Sequence, residues 1–277
     1  MNEDRNIRIL SLGAGVQSSA LLLLAIEGQI EPIEHCIFAD TGWEPKAVYR
    51  HVEYLIPFMK KANIQFHRVS CVRPESTGNI KEDMLREDKP YLSIPFFIKN
   101  DEGKSTISRR QCTQEYKISP VLRKTREIMG LKYNQRYAKK YGIATNLMGI
   151  STDEIQRMRT HKKPYIFNSY PLIDLGMSRQ DCLDWIDERG YKKPSRSACI
   201  GCPYHSNAEW LALKENSFEE FMDAVNFERE INKVETSYGK KLFLHKDLIP
   251  LDEVDFKRGG EPQLNLFDME CQGMCGV

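Results

Sequence analysis

The sequence predicts an α/β fold: an open parallel sheet with helices on both faces, continued by a helical C-terminal part. Two patterns carry that expectation. Short apolar runs alternate with helix-period runs up to residue 71, and a glycine-rich turn joins the first apolar run to the first helix. Alternation of this kind calls for parallel strands linked by helical crossovers that cover both faces of the sheet.

Residues 7–10 read as the first strand, ended by Ser-Leu-Gly-Ala-Gly at 11–15. A helix rich in Leu and Ala is expected over 18–27. Residues 34–39 form a second strand, closed by Asp40, Thr41 and Gly42. Pro45 suits the first turn of the next helix, which runs to about 61 with Val48, Val52, Leu55, Ile56 and Met59 at helical spacing. Pro57 should kink that helix or end it early, because proline removes an N–H from the ladder. Residues 65–71 are a third strand. The stretch 73–110 is polar and proline-containing and reads as an irregular loop or insertion. Residues 119–129 and 134–141 look helical and basic, and 144–150 is another buried strand. An amphipathic helix over 178–189 puts Cys182, Trp185 and Ile186 on one face. Residues 192–204 hold two prolines and a Cys-x-x-Cys, so a loop is expected. Helices follow over 208–216 and 218–236, then a polar tail from 252. A soft boundary near 175 separates an α/β domain (1–175, with an insertion around 73–140) from a helical, cysteine-bearing part (176–277) with a mobile tail.

Composition narrows the function classes. Of 277 residues, 41% are hydrophobic, enough to bury a core. Basic and acidic residues number 40 and 39, a net charge of +1, so no chain-wide cationic field for nucleic acid or membrane exists. The longest apolar run, from Ala20 to Ile26, falls far short of the roughly 20 residues that span a bilayer. The first ten residues are polar and charged, which is no signal-peptide pattern. A soluble cytoplasmic protein without a membrane partner is expected. The eight cysteines, at 36, 71, 112, 182, 199, 202, 271 and 275, are few and unevenly spaced. That favours metal binding or redox catalysis over structural disulfides.

A strand, then SLGAGVQSS at 11–19, then a helix is a phosphate-binding arrangement. Glycines let the backbone approach an anion, free N–H groups and the helix dipole hold negative charge, and Ser18 and Ser19 add hydroxyls. No Gly-Lys-Ser/Thr follows, and the third position of a dinucleotide fingerprint is Ser18. A plain tight turn before a helix is the alternative. Other segments then line up over about residues 8–205: Phe38-Ala-Asp-Thr-Gly42, Lys117-Ile-Ser-Pro120, Gly149-Ile-Ser-Thr-Asp-Glu154 with Arg157, and Tyr170-Pro-Leu-Ile-Asp174. In this order they resemble the phosphoadenylyl-sulfate (PAPS) reductase-like family of the adenine nucleotide alpha hydrolase-like (PP-loop) superfamily. GAGVQS at 13–18 looks like the superfamily's SGGxDS loop, with Gly13 at the first Ser and Gln17 at the Asp that usually helps hold magnesium; PAPS reductases also tend to carry Gln there. Ser151 stands where the reductases carry Arg, a fork suited to phosphate or sulfate. Arg157, Arg159, Arg109 and Arg110 are the candidate substitutes.

Cys199-Ile-Gly-Cys202 is a chelating unit, and Cys112 supplies a third thiol between basic residues that favour its thiolate. Zinc, an iron–sulfur cluster and a redox disulfide are all open on the residues alone. The resemblance selects a [4Fe-4S] cluster on Cys112, Cys199 and Cys202, with Cys271, Cys275, His205 or an exogenous group as fourth ligand. His205 alone reads as a surface residue. Cys36, Cys71 and Cys182 read as small core residues. The tail Glu-Cys-Gln-Gly-Met-Cys-Gly at 270–276 resembles the reductases' Glu-Cys-Gly segment, so Cys271 or Cys275 is the implied nucleophile; incidental thiols in a polar tail are the alternative. The basic stretch 117–140 reads as a solvated helix face or as a track for nucleic-acid phosphates.

The resemblance therefore implies an enzyme that binds an adenine nucleotide (PAPS, APS or ATP). Ser11, Gly13, Gly15, Gln17 and Ser18 would hold it, Asp40 and Thr41 would line the site, and magnesium is an option. Lys117 and Arg157 would neutralise phosphate or sulfate. A tail thiol would attack sulfur, and an external thiol such as that of thioredoxin would release sulfite. Two other readings stand beside it: an ATP-dependent, cluster-dependent sulfurtransferase that thiolates RNA or DNA, and a non-catalytic nucleotide- or nucleic-acid-binding component of a larger assembly.

Overall fold

A computed structural model of the chain describes residues 5–88, 90–132, 134–234 and 239–257. The strands are β1 (Asn6–Leu12), β2 (His35–Ala39), β3 (Gln65–Val69), β4 (Phe97–Lys99), β5 (Ser105–Ile107), β6 (Ile143–Leu147) and β7 (Ile166–Ser169). The helices are α1 (Val16–Ile26), α2 (Lys46–Lys61), α3 (Ile80–Met84), α4 (Ser119–Ile128), α5 (Pro171–Asp174), α6 (Arg179–Glu188), α7 (Asn207–Asn216) and α8 (Phe218–Ile231). The main sheet has five strands in the order β3-β2-β1-β6-β7, all parallel. β4 and β5 form a separate antiparallel hairpin. The expected open parallel sheet with helices on both faces is thus the observed fold.

The central strands β1 and β2 feed two layers, as expected of parallel strands covered on both sides. From β1, Leu10 and Leu12 enter a core with α1, α2 and α6. Ile7 and Ile9 point the other way, into a core with Val121 of α4 and with Met129 and Leu131 beyond it. α1 is buried from Val16 to Ala25. A helix apolar on all sides must be enclosed, and α1 is enclosed by the sheet and by Cys182 and Ile186 of α6.

A third core joins pieces distant in sequence. Trp43 after β2, Ile80 and Met84 of α3, Phe96, Tyr116, and Phe221, Val225 and Phe227 of α8 pack together. The insertion and the C-terminal helices therefore share one interior. Asp83 is its polar centre. Burial raises its pKa, but hydrogen bonds from Ser76, Tyr116 and the Thr77 amide outweigh this and hold the carboxyl below its ordinary value.

The structure corrects several sequence expectations. α2 continues through Pro57 to Lys61. Pro57 lies on the exposed face, where water can satisfy the carbonyl it leaves without a donor, while Val52, Leu55 and Met59 anchor the other face. The stretch 73–110 is less irregular than expected, since it contains α3 and the β4–β5 hairpin. Residues 134–141 give one short 3-10 turn, Lys139–Tyr141, instead of a helix, and none of that turn is buried. β7 was not expected. α8 ends at Ile231, short of the expected 236. Among the described residues no helix is long and apolar enough to cross a membrane.

Candidate nucleotide and thiol site

The chain builds β1, β2 and β3 toward one side and then places β6 and β7 on the other, so the order reverses between β1 and β6. In open α/β sheets the crevice beyond the carboxyl ends at such a reversal is where ligands bind. Two loops meet there. The first leaves β1 as Gly13-Ala14-Gly15 and enters α1, and Ala14 holds the left-handed conformation at φ +57°. A non-glycine residue there stores strain of the kind that gathers at functional turns. The second loop leaves β6 as Gly149-Ile-Ser151. It lies so close that a Cβ at Gly149 would stand 2.7 Å from the Ser18 amide nitrogen.

Side chains knit these loops together. Gln17 is fully buried, with Nε2 3.4 Å from both Ser151 Oγ and Glu154 Oε2. Glu154, also buried, pairs with Arg157 at 2.5 Å. Ser18 Oγ donates to the Gly15 carbonyl (3.3 Å), and Ser11 is buried at the end of β1. Gly15 is the N-cap of α1, and no side chain caps it. Behind the turn, Ser19 Oγ meets His51 Nε2 of α2 at 2.9 Å, and burial lowers the His51 pKa to about 4.

The Cys-x-x-Cys segment crosses the ends of β1 and β2. Ser197 faces Gly15, 3.8 Å from where a Cβ would stand. The Ile200 amide donates to the Trp43 carbonyl (3.0 Å). Gly201 lies flat against the Trp43 indole, leaving no room for a Cβ. The Cys202 amide donates to the Cys199 carbonyl (3.0 Å), closing the turn. His205 is half-buried: its Nε2 reaches the same carbonyl (3.0 Å) and its ring packs on Trp210, with centroids 4.6 Å apart. Burial, and secondarily Arg196, lowers its pKa to about 4.

Cys199 is buried within a polar nest. Its Sγ is 3.3 Å from Thr41 Oγ1 and 3.6 Å from Glu44 Oε1. Thr41 donates to that same oxygen (3.1 Å), and Lys117 Nζ lies 3.5 Å from it. Among the described residues Glu44 Oε2 is buried without a hydrogen-bond partner. Burial raises the Cys199 pKa well above the ordinary thiol value, and Glu44 adds to this; Lys117 and Thr41 oppose it without prevailing. Asp40 stabilises its own turn, accepting from the Gly42 amide and from Tyr49 Oη at 2.8 Å each.

Gln17, Ser18, Glu154 and Arg157 thus gather at the crevice, and Thr41, Lys117 and Cys199 gather beside it. Cys112 packs against the Trp43–Phe227 core, and nearby Arg110 lies over the Tyr204 ring at 5.5 Å. Among the described residues no three His, Cys, Asp or Glu side chains converge as a metal-holding group. As placed, Cys112, Cys199 and Cys202 do not form a ligand set for a cluster. Cys271 and Cys275 lie outside the described residues. Sequence reasoning missed Glu44 and Trp43, and gave no role to Glu154 or Gly201 within the segments that contain them. No local signal marks the parts of Glu44, Glu154 and Trp43, because their partners Cys199, Gln17 and Gly201 lie far away in sequence.

No family model and no curated protein matches this chain. Among solved structures it is similar to phosphoadenylyl-sulfate (PAPS) reductase from Candida auris in a phosphate complex, at 14% identity and TM-score 0.42, covering 68% of this chain and 74% of that one. It is also similar to the U34-tRNA thiolase NcsA from Methanococcus maripaludis with its [4Fe-4S] cluster, at 14% identity and TM-score 0.43, covering 85% of this chain and 76% of that one.

Proposed function

We propose that this chain is an enzyme that binds an adenine nucleotide at the β1–β6 crevice and carries out thiol-based sulfur chemistry of the PAPS reductase kind. One observation supports this above others: a glycine turn at the switch point and a buried thiol segment run side by side, with Ser197 against Gly15 and Cys199 against Thr41. In this reading, amides at Gly13, Gly15 and Ser18 hold phosphate at the start of α1, where the helix dipole favours it. Lys117 and Arg157 balance phosphate or sulfate charge, and each must exchange part of its present partnership with Glu44 or Glu154 to do so.

A thiolate of Cys271 or Cys275 attacks the sulfur of the sulfuryl–phosphate anhydride. An S–S bond forms, the S–O bond to phosphate breaks, and the nucleotide leaves with that electron pair. A second thiolate, from the chain or from thioredoxin, then attacks the cysteine sulfur. It forms a disulfide and releases sulfite, so two thiols are oxidised as sulfur is reduced by two electrons.

A second reading, ATP-dependent sulfur transfer, has one structural argument. Gln17 removes a carboxylate from the turn, but Glu154 brings one to 3.4 Å from its amide, near where magnesium-bound phosphates would lie. The test is anaerobic incubation with reduced thioredoxin and PAPS or APS, and separately with Mg-ATP and bulk tRNA. Sulfite without pyrophosphate supports the reductase; pyrophosphate that depends on nucleic acid, without sulfite, supports the second reading and sinks the first.

A further inference from the structure

Beside the edge strand β7 lies a cationic cleft that the nucleotide reading does not use. The loop after Arg157 reads Met-Arg-Thr-His-Lys-Lys-Pro over 158–164 and has no acidic residue. It folds back along β7. The Arg159 amide donates to Tyr170 Oη (2.8 Å), and its carbonyl accepts from Asn168 Nδ2 (2.9 Å). Loop and strand enclose a cleft of about 380 Å³ whose walls include Arg159, His161, Lys163, Phe167 and Tyr170.

Two features mark it as a docking surface. First, the guanidinium of Arg159 bonds only to the carbonyls of Gln156 and Met158 (2.7 Å each), and among the described residues no carboxylate pairs with Arg159, Lys162 or Lys163. Elsewhere lysines do find carboxylates, as Lys124 does with Glu127 and Lys193 with Asp187. Second, Phe167 is 51% exposed between buried Ile166 and half-buried Asn168. An open aromatic face beside unpaired cations suits bases that stack while phosphates meet charge. An acidic peptide would use the cations but leave the ring idle. We infer that this cleft binds a single strand of nucleic acid, with a base on Phe167, phosphates at Arg159 and Lys163, and the exposed Lys162 of the same loop adding charge beside it. The inference stands apart from the nucleotide reading. The basic stretch 117–140 is a poorer candidate because its side chains are engaged internally: Arg126 bonds Tyr165 and the Gln135 carbonyl, and Tyr137 stacks on Tyr165 at 4.4 Å.

The test is fluorescence anisotropy of the full chain with a labelled single-stranded RNA or DNA of roughly 20 nucleotides, longer than one such site. Phe167→Ala should weaken binding about tenfold, the loss of one stacked base. Lys162→Glu with Lys163→Glu should weaken it further, and each lost cation should lower the slope of log affinity against log salt by about 0.7. Melting temperatures should stay at the wild-type value, and ATP-induced thermal shifts, recorded on the same variants, report the nucleotide site separately. Binding that ignores both sets of substitutions overturns the inference. So does equal affinity for duplex DNA, equal displacement by poly-glutamate, or no binding at all.

Discussion

Gly149→Ala tests the meeting of the two crevice loops. A methyl group there would stand 2.7 Å from Ser18 N, 2.9 Å from Ser18 Cα and 3.1 Å from the Gln17 carbonyl carbon. All three are backbone atoms at the start of α1, so no side chain can swing aside. The loops must part by several tenths of an ångström. Overpacking of this kind costs about 1–3 kcal/mol. At about 2–4 °C per kcal/mol for a chain of this size class, the melting temperature should fall by roughly 2–12 °C. The same shift breaks the 3.4 Å contacts of Gln17 with Ser151 and Glu154. Displacing groups that position a ligand is expensive, so affinity for ATP or APS should fall by about tenfold or more. Differential scanning fluorimetry and calorimetric titration read the two effects. Gly190→Ala is the control: its φ of +69° makes a side chain strained, but nothing lies within 4 Å. It should lower the melting temperature and leave affinity alone. A Gly149→Ala protein with unchanged melting temperature and affinity would refute the close packing and its role at the crevice.

The remaining predictions concern stability, thiols and iron. His51 is buried neutral with a pKa near 4, so the unfolded chain binds more protons between pH 4 and about 6.5 and stability falls as pH drops through that window. Its share between pH 7 and pH 5 is about 2 kcal/mol, and urea unfolding at the two pH values should show that His51→Gln removes it. Gly201→Ala pushes the turn off Trp43, so Cys199, now 8% exposed, should react with Ellman's reagent many times faster; an unchanged rate would deny that docking. Glu228 accepts from the Leu244 and Leu251 amides at 2.7 and 2.8 Å inside the third core. Glu228→Ala strands both, at a cost of about 2–4 kcal/mol by chemical denaturation. Metal analysis of anaerobically purified protein should find no iron or acid-labile sulfide if Cys112, Cys199 and Cys202 stay as placed; iron that is lost in Cys199→Ser and Cys202→Ser would show that they regroup around a cluster.

The sheet was legible because its central strands are apolar on both faces, as Ile7, Ile9, Leu10 and Leu12 show. β7 was not, because only Ile166 of its four residues is buried and the strand sits at an open edge. Pro57 misled because a local rule about helix hydrogen bonds says nothing of which face meets water. In the site, the glycine turn and the Cys-x-x-Cys were visible as contiguous motifs. Glu44, Glu154 and Trp43 acquire their parts only through neighbours far away in sequence: Cys199, Gln17 and Gly201. No local pattern encodes such pairings. Lys117 and Arg157 were legible as cations, but their carboxylate partners were not.

The interior shared by the insertion and the last helices has a consequence for synthesis. Phe96 and Tyr116 leave the ribosome long before Phe221 and Phe227, with which they must pack. Until α8 emerges, Phe96 and Tyr116 lack the part of their core that Phe221, Val225 and Phe227 supply, although the strands up to β7 are already available to pair. The nascent chain therefore passes through a stage with a formed sheet and a sticky, unfinished appendage, the kind of species that chaperones hold. Trp43 belongs to that late-closing interior and supports the Cys199–Cys202 turn, so the thiol side of the crevice is completed only after α8 has emerged. A ribosome stalled before α8 would display the glycine turn without a finished thiol site.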